Sequence, residues 1–269
     1  MTSTRIAIAG LGTIGKEVAR RVIAGDLPGF TLGAVATGSP DKARTWLEGA
    51  GIDCPVVSLD DLPQHCDMVI ESAPAEVLEA ICMPMLRASK KVVVLSCGAL
   101  LPRWHIVEAA KAHGGQIIVP TGGLLGLDAV TAAAEGTIQS VKMITRKPPR
   151  GLVGAPYLVA KGLDMALVNA PMKVFSGSAR EAAAGFPANV NVAAALSLAG
   201  IGPDLTTIDI WADPEATRNN HRIEVVADSA SFTLEIANVP SENPKTGKIV
   251  ALSVIALLRK MNAPLRVGT

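Results

Sequence analysis

Through the first 120 residues the apolar positions fall in short unbroken runs separated by mixed stretches. Residues 5–9, 30–36, 68–72, 91–96 and 116–120 each read as a strand with little polar alternation. Strands of that kind are buried on both faces. Helix-period segments lie between them, at 16–24, 76–86 and 104–113. This alternation predicts a parallel sheet covered on both sides, doubly wound because such crossovers are right-handed.

After Gly123 the pattern changes. Residues 124–135 and the alanine-rich 189–199 read as helices. Runs at 141–145, 172–176, 207–211, 222–226 and 231–237 read as strands. The last three alternate between apolar and polar, as expected of a sheet with one face packed and the other exposed or paired. Runs of strands outside βαβ units suggest a second, α+β domain, and its open face suits a dimer. A final helix, 246–261, follows Asn243-Pro244 and is expected to return to the first domain. The expected class is therefore α/β: a Rossmann doubly wound domain over 1–122, with 244–269 returning to it, and an α+β catalytic or dimerisation domain over 123–243. The chain shows no internal repeat, low-complexity segment or long linker.

The turn after the first strand carries candidate chemistry. Gly10-Leu-Gly12-Thr13-Ile14-Gly15 stands between strand and helix, within a βαβ unit of about thirty residues. Gly10 allows the tight turn, Gly12 lets backbone approach a pyrophosphate, and Gly15 lets helix and strand pack closely. Thr13 and Ile14 lie at the helix start, whose free N–H groups suit an anion. Dinucleotide binding follows, against the alternative of a glycine-rich turn in some other α/β protein. Ligands of such sheets lie beyond the carboxyl ends of the strands. That rule adds the turn with Cys97 and Gly98, on the nicotinamide side, and the turn Thr121-Gly122-Gly123. A small buried residue is the plainer reading of Cys97. The second strand ends at Thr37-Gly38-Ser39 with no acid at its tip to bind ribose hydroxyls. Ser39, Lys42 and Arg44 are placed to approach a 2′-phosphate, so the cofactor is read as NADP, or as NADP and NAD both. Alternatively, Lys42 and Arg44 are solvated positions on the next helix.

Bulk properties narrow the partners. Of 269 residues 49% are hydrophobic, so a sizeable core can form. Lys plus Arg number 25 against 24 Asp plus Glu, and aromatic residues are 3%, which argues against nucleic acid and against an anionic membrane surface. Four cysteines without a CxxC pair or a histidine cluster argue against a metal site and fit reduced thiols in a cytoplasm. The longest apolar stretch, 249–258, is too short to span a bilayer.

Beyond the glycine fingerprint, several segments stand in a distinctive order. They are Pro120-Thr-Gly-Gly-Leu-Leu-Gly-Leu-Asp-Ala, Phe186-Pro-Ala-Asn189-Val-Asn191-Val-Ala-Ala, Asn219-Asn-His221-Arg-Ile-Glu-Val and Asn243-Pro-Lys245-Thr-Gly-Lys-Ile-Val-Ala-Leu-Ser-Val. Together they resemble the L-aspartate dehydrogenase family over most of the chain. The resemblance implies a Rossmann domain with a dimer-forming α+β domain. It also implies oxidation of L-aspartate with NAD or NADP to iminosuccinate, which hydrolyses to oxaloacetate and ammonia, or the reverse reductive amination. Carried onto matching positions, it implies His221 as the active-site histidine and cofactor contacts at Gly123 and Asn189. Thr121 and Lys245 become candidate substrate contacts. Where the family usually has Ser-Gly-Ala, this chain has Thr121-Gly122-Gly123, and Gly247 replaces a usual Ser.

The chemistry asks for a proton carrier. Cα oxidation needs the free amine, and hydrolysis of the imine needs an activated water. An imidazole with an unperturbed pKa of about 6.5 suits both steps. His65, His105 and His113 fall outside the strand-end turns of the first domain. His221 shares strand parity with Ile223 and Val225, so a half-buried structural histidine is its plain alternative. Asn189 is alternatively an N-cap. A dicarboxylic amino acid also needs cations, and Arg146, Lys147, Lys245 and Lys248 are candidates. The rival functions are a dehydrogenase or imine reductase acting on another amino or keto acid, and a non-catalytic dinucleotide sensor.

Overall fold

The computed structural model describes residues 3–187, 190–241 and 247–269. The chain forms two compact units, one of residues 1–120 with 251–266, the other of 121–250 with 267–269.

In the first unit the elements follow in the order β1 (Thr4–Ala9), α1 (Thr13–Ile23), β2 (Phe30–Ala36), α2 (Pro40–Gly49), α3 (Leu62–His65), β3 (Met68–Glu71), α4 (Leu78–Arg87), β4 (Lys91–Val94), α5 (His105–His113) and β5 (Gln116–Ile118). All the strands are parallel, in the order β2-β1-β3-β4-β5. This is a doubly wound order whose direction reverses between β1 and β3, where such sheets bind ligands. Ile6, Ile8, Met68, Ile70 and Val93 form the core with Val18 and Val22 of α1. Each of these side chains is at most 6% exposed, which is why the strands read as unbroken apolar runs.

The second unit holds α6 (Leu127–Ala134), β6 (Ile138–Lys147), α7 (Pro156–Ala160), β7 (Met172–Ser178), α8 (Ala179–Gly185), α9 (Asn191–Ala199), β8 (Thr207–Ala212), β9 (Asn219–Ala227) and β10 (Ser231–Asn238). The strands form one mixed sheet in the order β10-β9-β6-β8-β7, with only β6 and β8 running parallel. A last helix, α10 (Ile249–Asn262), begins here, and its Val254, Ile255 and Leu258 belong to the core of the first unit.

Several features exceed the sequence expectation, the short helices α3 and α7 among them. Helix α8 was not expected, although its start carries a capping box. The Ser178 hydroxyl accepts from the Glu181 N–H at 3.2 Å, and the Glu181 carboxylate accepts from the Ser178 N–H at 2.7 Å. Strands β6 and β9 also run past their apolar cores, to Lys147 and back to Asn219. Ladder pairing with neighbours extends them, and polar residues thereby enter the covered face of the sheet.

Candidate functional site

The glycine turn is built from close approaches. Gly10 has φ of +97°, and a Cβ there would stand 2.6 Å from the Ser72 carbonyl carbon at the end of β3. A Cβ on Gly15 would collide with the Gly10 carbonyl oxygen, so α1 can lie against the turn only with glycine there. A Cβ on Gly12 would meet nothing within 4 Å, which leaves its backbone open to a ligand. The Ser72 hydroxyl donates to the Gly10 carbonyl at 2.7 Å and ties β3 to the turn.

Beside this turn is a cavity of about 350 Å³ lined by Gly10, Gly12, Lys16, Thr37, Ser39 and Lys42, with Ser72 to Pro74 along one wall. A bare backbone at Gly12, the free N–H groups of α1 and two lysines fit the phosphates of a dinucleotide. Thr13 is exposed and Ile14 half-buried in the first turn of α1. Of the residues proposed for a 2′-phosphate, Ser39 and Lys42 line the cavity. Arg44 instead pairs with Asp41 at 2.7 Å on the exposed side of α2. Lys16 takes its place, a residue the sequence reading left as an ordinary helix position. Among the described residues no acidic side chain lines the cavity.

Glu71, fully buried at the carboxyl end of β3, was not singled out from the sequence. One of its carboxylate oxygens accepts from the N–H groups of Leu95 and Ser96 at 2.9 and 2.8 Å. The other accepts from the Ser96 hydroxyl at 3.0 Å and the Ala73 N–H at 3.2 Å. Burial pushes the carboxyl pKa up, against the pull of these donors. The side chain fastens the turn after β3, part of the cavity wall, to the turn after β4. The visible signal was a lone acid ending an apolar strand, Met68-Val-Ile-Glu71. Cys97 and Gly98 follow Ser96 and are both buried.

On the covered face of the second sheet, the pleat of β6 presents Val141, Met143, Thr145 and Lys147 in succession, all buried. On β9 the same face presents His221, Ile223 and Val225. Thr145 lies opposite His221 in the ladder, and its hydroxyl meets the imidazole Nδ1 at 2.7 Å. His221 is 4% exposed, so it is more deeply buried than a half-buried strand position. Burial first, and the charge of Lys147 second, push its pKa down to about 3. Enclosure thus holds the ring well below the ordinary imidazole value of about 6.5 and favours its neutral form. Lys147 is itself 5% exposed, and burial pushes its pKa down to about 8.

The remaining predicted residues lie elsewhere in the second unit. Thr121 is exposed and Gly123 buried. The Gly123 carbonyl accepts from the Asn238 side-chain amide at 2.8 Å. A Cβ on Gly123 would meet Val192, Asn238 and Val250 at 3.4–3.8 Å, ordinary contact, so the methyl group missing from this chain has room. A Cβ on Gly247 would press on the Asn238 side chain at 3.1–3.3 Å, so a serine there needs that side chain to give by a few tenths of an ångström. Helix α9 has Val190 as its N-cap residue. Asn189 and Lys245 lie outside the described residues. Among the described residues no three metal-ligating side chains cluster, and no helix is long and apolar enough to cross a membrane.

Comparison with known proteins adds to this geometry. Residues 128–261 match the family profile described as aspartate dehydrogenase, C-terminal, and residues 10–120 match the homoserine dehydrogenase NAD binding domain. The chain is 55% identical over 264 residues to L-aspartate dehydrogenase 3 of Bordetella bronchiseptica, covering 98% of this chain and 97% of that protein. It is 56% identical over 265 residues to L-aspartate dehydrogenase of Bradyrhizobium diazoefficiens, covering 98% and 94%. The crystal structure of aspartate dehydrogenase from Thermotoga maritima superposes with a TM-score of 0.72 at 24% identity, covering 98% of this chain and 99% of that one, a likeness of fold.

Proposed function

Because this chain belongs to the L-aspartate dehydrogenase family, catalysing the NAD(P)-dependent oxidation of L-aspartate, we propose how its residues divide that work. Gly10, Gly12 and Gly15, with the N–H groups of Thr13 and Ile14, hold the pyrophosphate. Ser39, Lys42 and Lys16 hold a 2′-phosphate, which supports NADP as the better of two usable cofactors. Cys97 and Gly98 follow β4 at the strand ends and are assigned to the nicotinamide side, and the family resemblance adds Gly123 and Asn189 as cofactor contacts. When bound, the cofactor accepts the hydride that leaves the substrate Cα.

His221 acts on the protons. The Thr145 hydroxyl fixes the ring through Nδ1 and, being both donor and acceptor, suits either tautomer. Nε2 makes no hydrogen bond among the described residues and is the atom left to handle a proton. In the oxidative direction it takes a proton from the water that adds to the imine carbon, and Nδ1 stays anchored. The carbinolamine then collapses to oxaloacetate and ammonia. The ring's proton passes to the carbinolamine nitrogen before ammonia leaves, and the lowered pKa of the enclosed imidazole favours that return. The observation carrying this reading is a fully enclosed imidazole held by a hydroxyl at 2.7 Å. His221→Ala should lower kcat by roughly 10²–10⁴ with the Kd for NADPH unchanged. Near-native turnover in that variant would remove His221 from the chemistry.

The open face of the mixed sheet supports a homodimer. It mixes Ile144, Trp211 and Val226 with ion pairs such as Arg222–Glu235 and Lys142–Asp209. Val226→Asp should shift the mass by light scattering toward a monomer. Four cysteines, none in a disulfide, support a reducing, cytoplasmic setting.

A further inference from the structure

We propose that Lys147 is the cation that binds a carboxylate of the substrate. The inference rests on His221 marking the reaction centre. A dicarboxylic amino acid enters a water-poor site only against positive charge. The pleat of β6 separates the candidates. Arg146 points to the opposite face, where its guanidinium lies 4.7 Å over the Trp211 ring and 3.6 Å from Asp213. Lys248 is exposed. Lys147 shares the covered face with Thr145, two residues along the same strand, a Cα separation of about 7 Å. Thr145 holds His221, so lysine and imidazole stand at one end of one sheet face. Their proximity is also felt electrically, since the Lys147 charge helps depress the imidazole pKa.

This end of the face departs from the rest of the sheet. Val141 and Met143 on β6, and Ile223 and Val225 on β9, are apolar and buried. The next inward positions are Thr145, Lys147 and His221. An ammonium in such surroundings is costly to keep charged, and its pKa falls accordingly to about 8. A substrate carboxylate placed at this end of the face meets the ammonium directly, so binding is strongest while the lysine keeps its proton. The Thr145 hydroxyl and the His221 imidazole lie on the same face.

The test uses succinate, an unreactive dicarboxylate, titrated against the enzyme–NADPH complex, alongside steady-state kinetics with L-aspartate. Lys147→Met keeps the stem and removes the charge. Succinate binding should weaken roughly 100-fold, and the KM for L-aspartate should rise by a similar factor, with the Kd for NADPH unchanged. Lys147→Arg should recover part of the succinate affinity. In the wild-type enzyme, succinate affinity should fall as pH rises through the titration of Lys147, a readout that needs no variant to fold. Unchanged succinate affinity in a folded Lys147→Met, or a flat wild-type profile from pH 7 to 10, overturns the proposal. His221→Ala separates the two readings: it should lose turnover yet still bind succinate. Native turnover there would refute the role of His221, whatever Lys147 does.

Discussion

Two buried polar clusters, one in each unit, are built on opposite principles. At the end of the parallel sheet, Glu71 gathers four donors on two oxygens, and all its acceptor capacity along the turns is used. At the end of the mixed sheet, His221 has, among the described residues, one hydroxyl partner on one nitrogen and a cationic neighbour. A saturated carboxylate fixes backbone in place. An imidazole with a nitrogen in reserve can exchange a proton. Burial is common to both groups, and what separates them is how much of their hydrogen-bonding capacity the described residues use.

The strongest way to break this contrast is to remove Glu71. Glu71→Ala should cost about 3 kcal/mol in urea denaturation, because the Leu95, Ser96 and Ala73 N–H groups lose their acceptor. Glu71→Gln should cost nearly as much, since its amide would set donors against donors. A Gln variant as stable as wild type would mean that the buried carboxyl is protonated, and the contrast would collapse. Next in size, Thr145→Val should lower kcat by roughly tenfold to thirtyfold, about 1.4–2 kcal/mol, with cofactor affinity intact. Thr145→Ser should restore it. If Val is as active as Thr, the hydroxyl does not orient the ring.

A third comparison uses pH. Unfolded, His221 takes a proton near 6.5; folded, it resists until about 3. The unfolded state therefore binds more protons in that window, so stability falls as pH drops from about 6.5 toward 3, by at most about 1.4 kcal/mol per pH unit. Lys147 has the same sign in another window: from about 8 to 10.5 its burial penalty is relieved and stability rises with pH. Subtracting the denaturation profile of His221→Gln from wild type should isolate the acid limb. The smallest effect is on cofactor choice. Ser39→Asp should shift the NADP over NAD preference toward NAD by about tenfold, placing an acid in a cavity wall that has none. An unchanged ratio would detach this cavity from the 2′ position.

The parallel unit was legible because its strands are buried on both faces, and β2 spans the segment its apolar run marks, Phe30–Ala36. The glycine turn was legible because each glycine answers a steric demand local to the sequence. The partner of His221 was not, because Thr145 is 76 residues away and only the β6–β9 register brings them together. Glu71 was hidden for a similar reason, its donors lying 24 and 25 residues on. Lys147 appeared among four cations, and pleat direction alone set it apart from Arg146. The depressed basicity of His221 arises from enclosure, which residue identity does not encode.

Trp46 on α2 lies beneath two cations of α1, with Lys16 Nζ 5.6 Å and Arg20 Cζ 5.4 Å from its ring. Lys16 also lines the dinucleotide cavity. Any phosphate that draws this ammonium toward itself alters the electric field over an indole. Nucleotide entering this cavity should therefore change the ultraviolet emission of Trp46, a readout that needs no label or substrate.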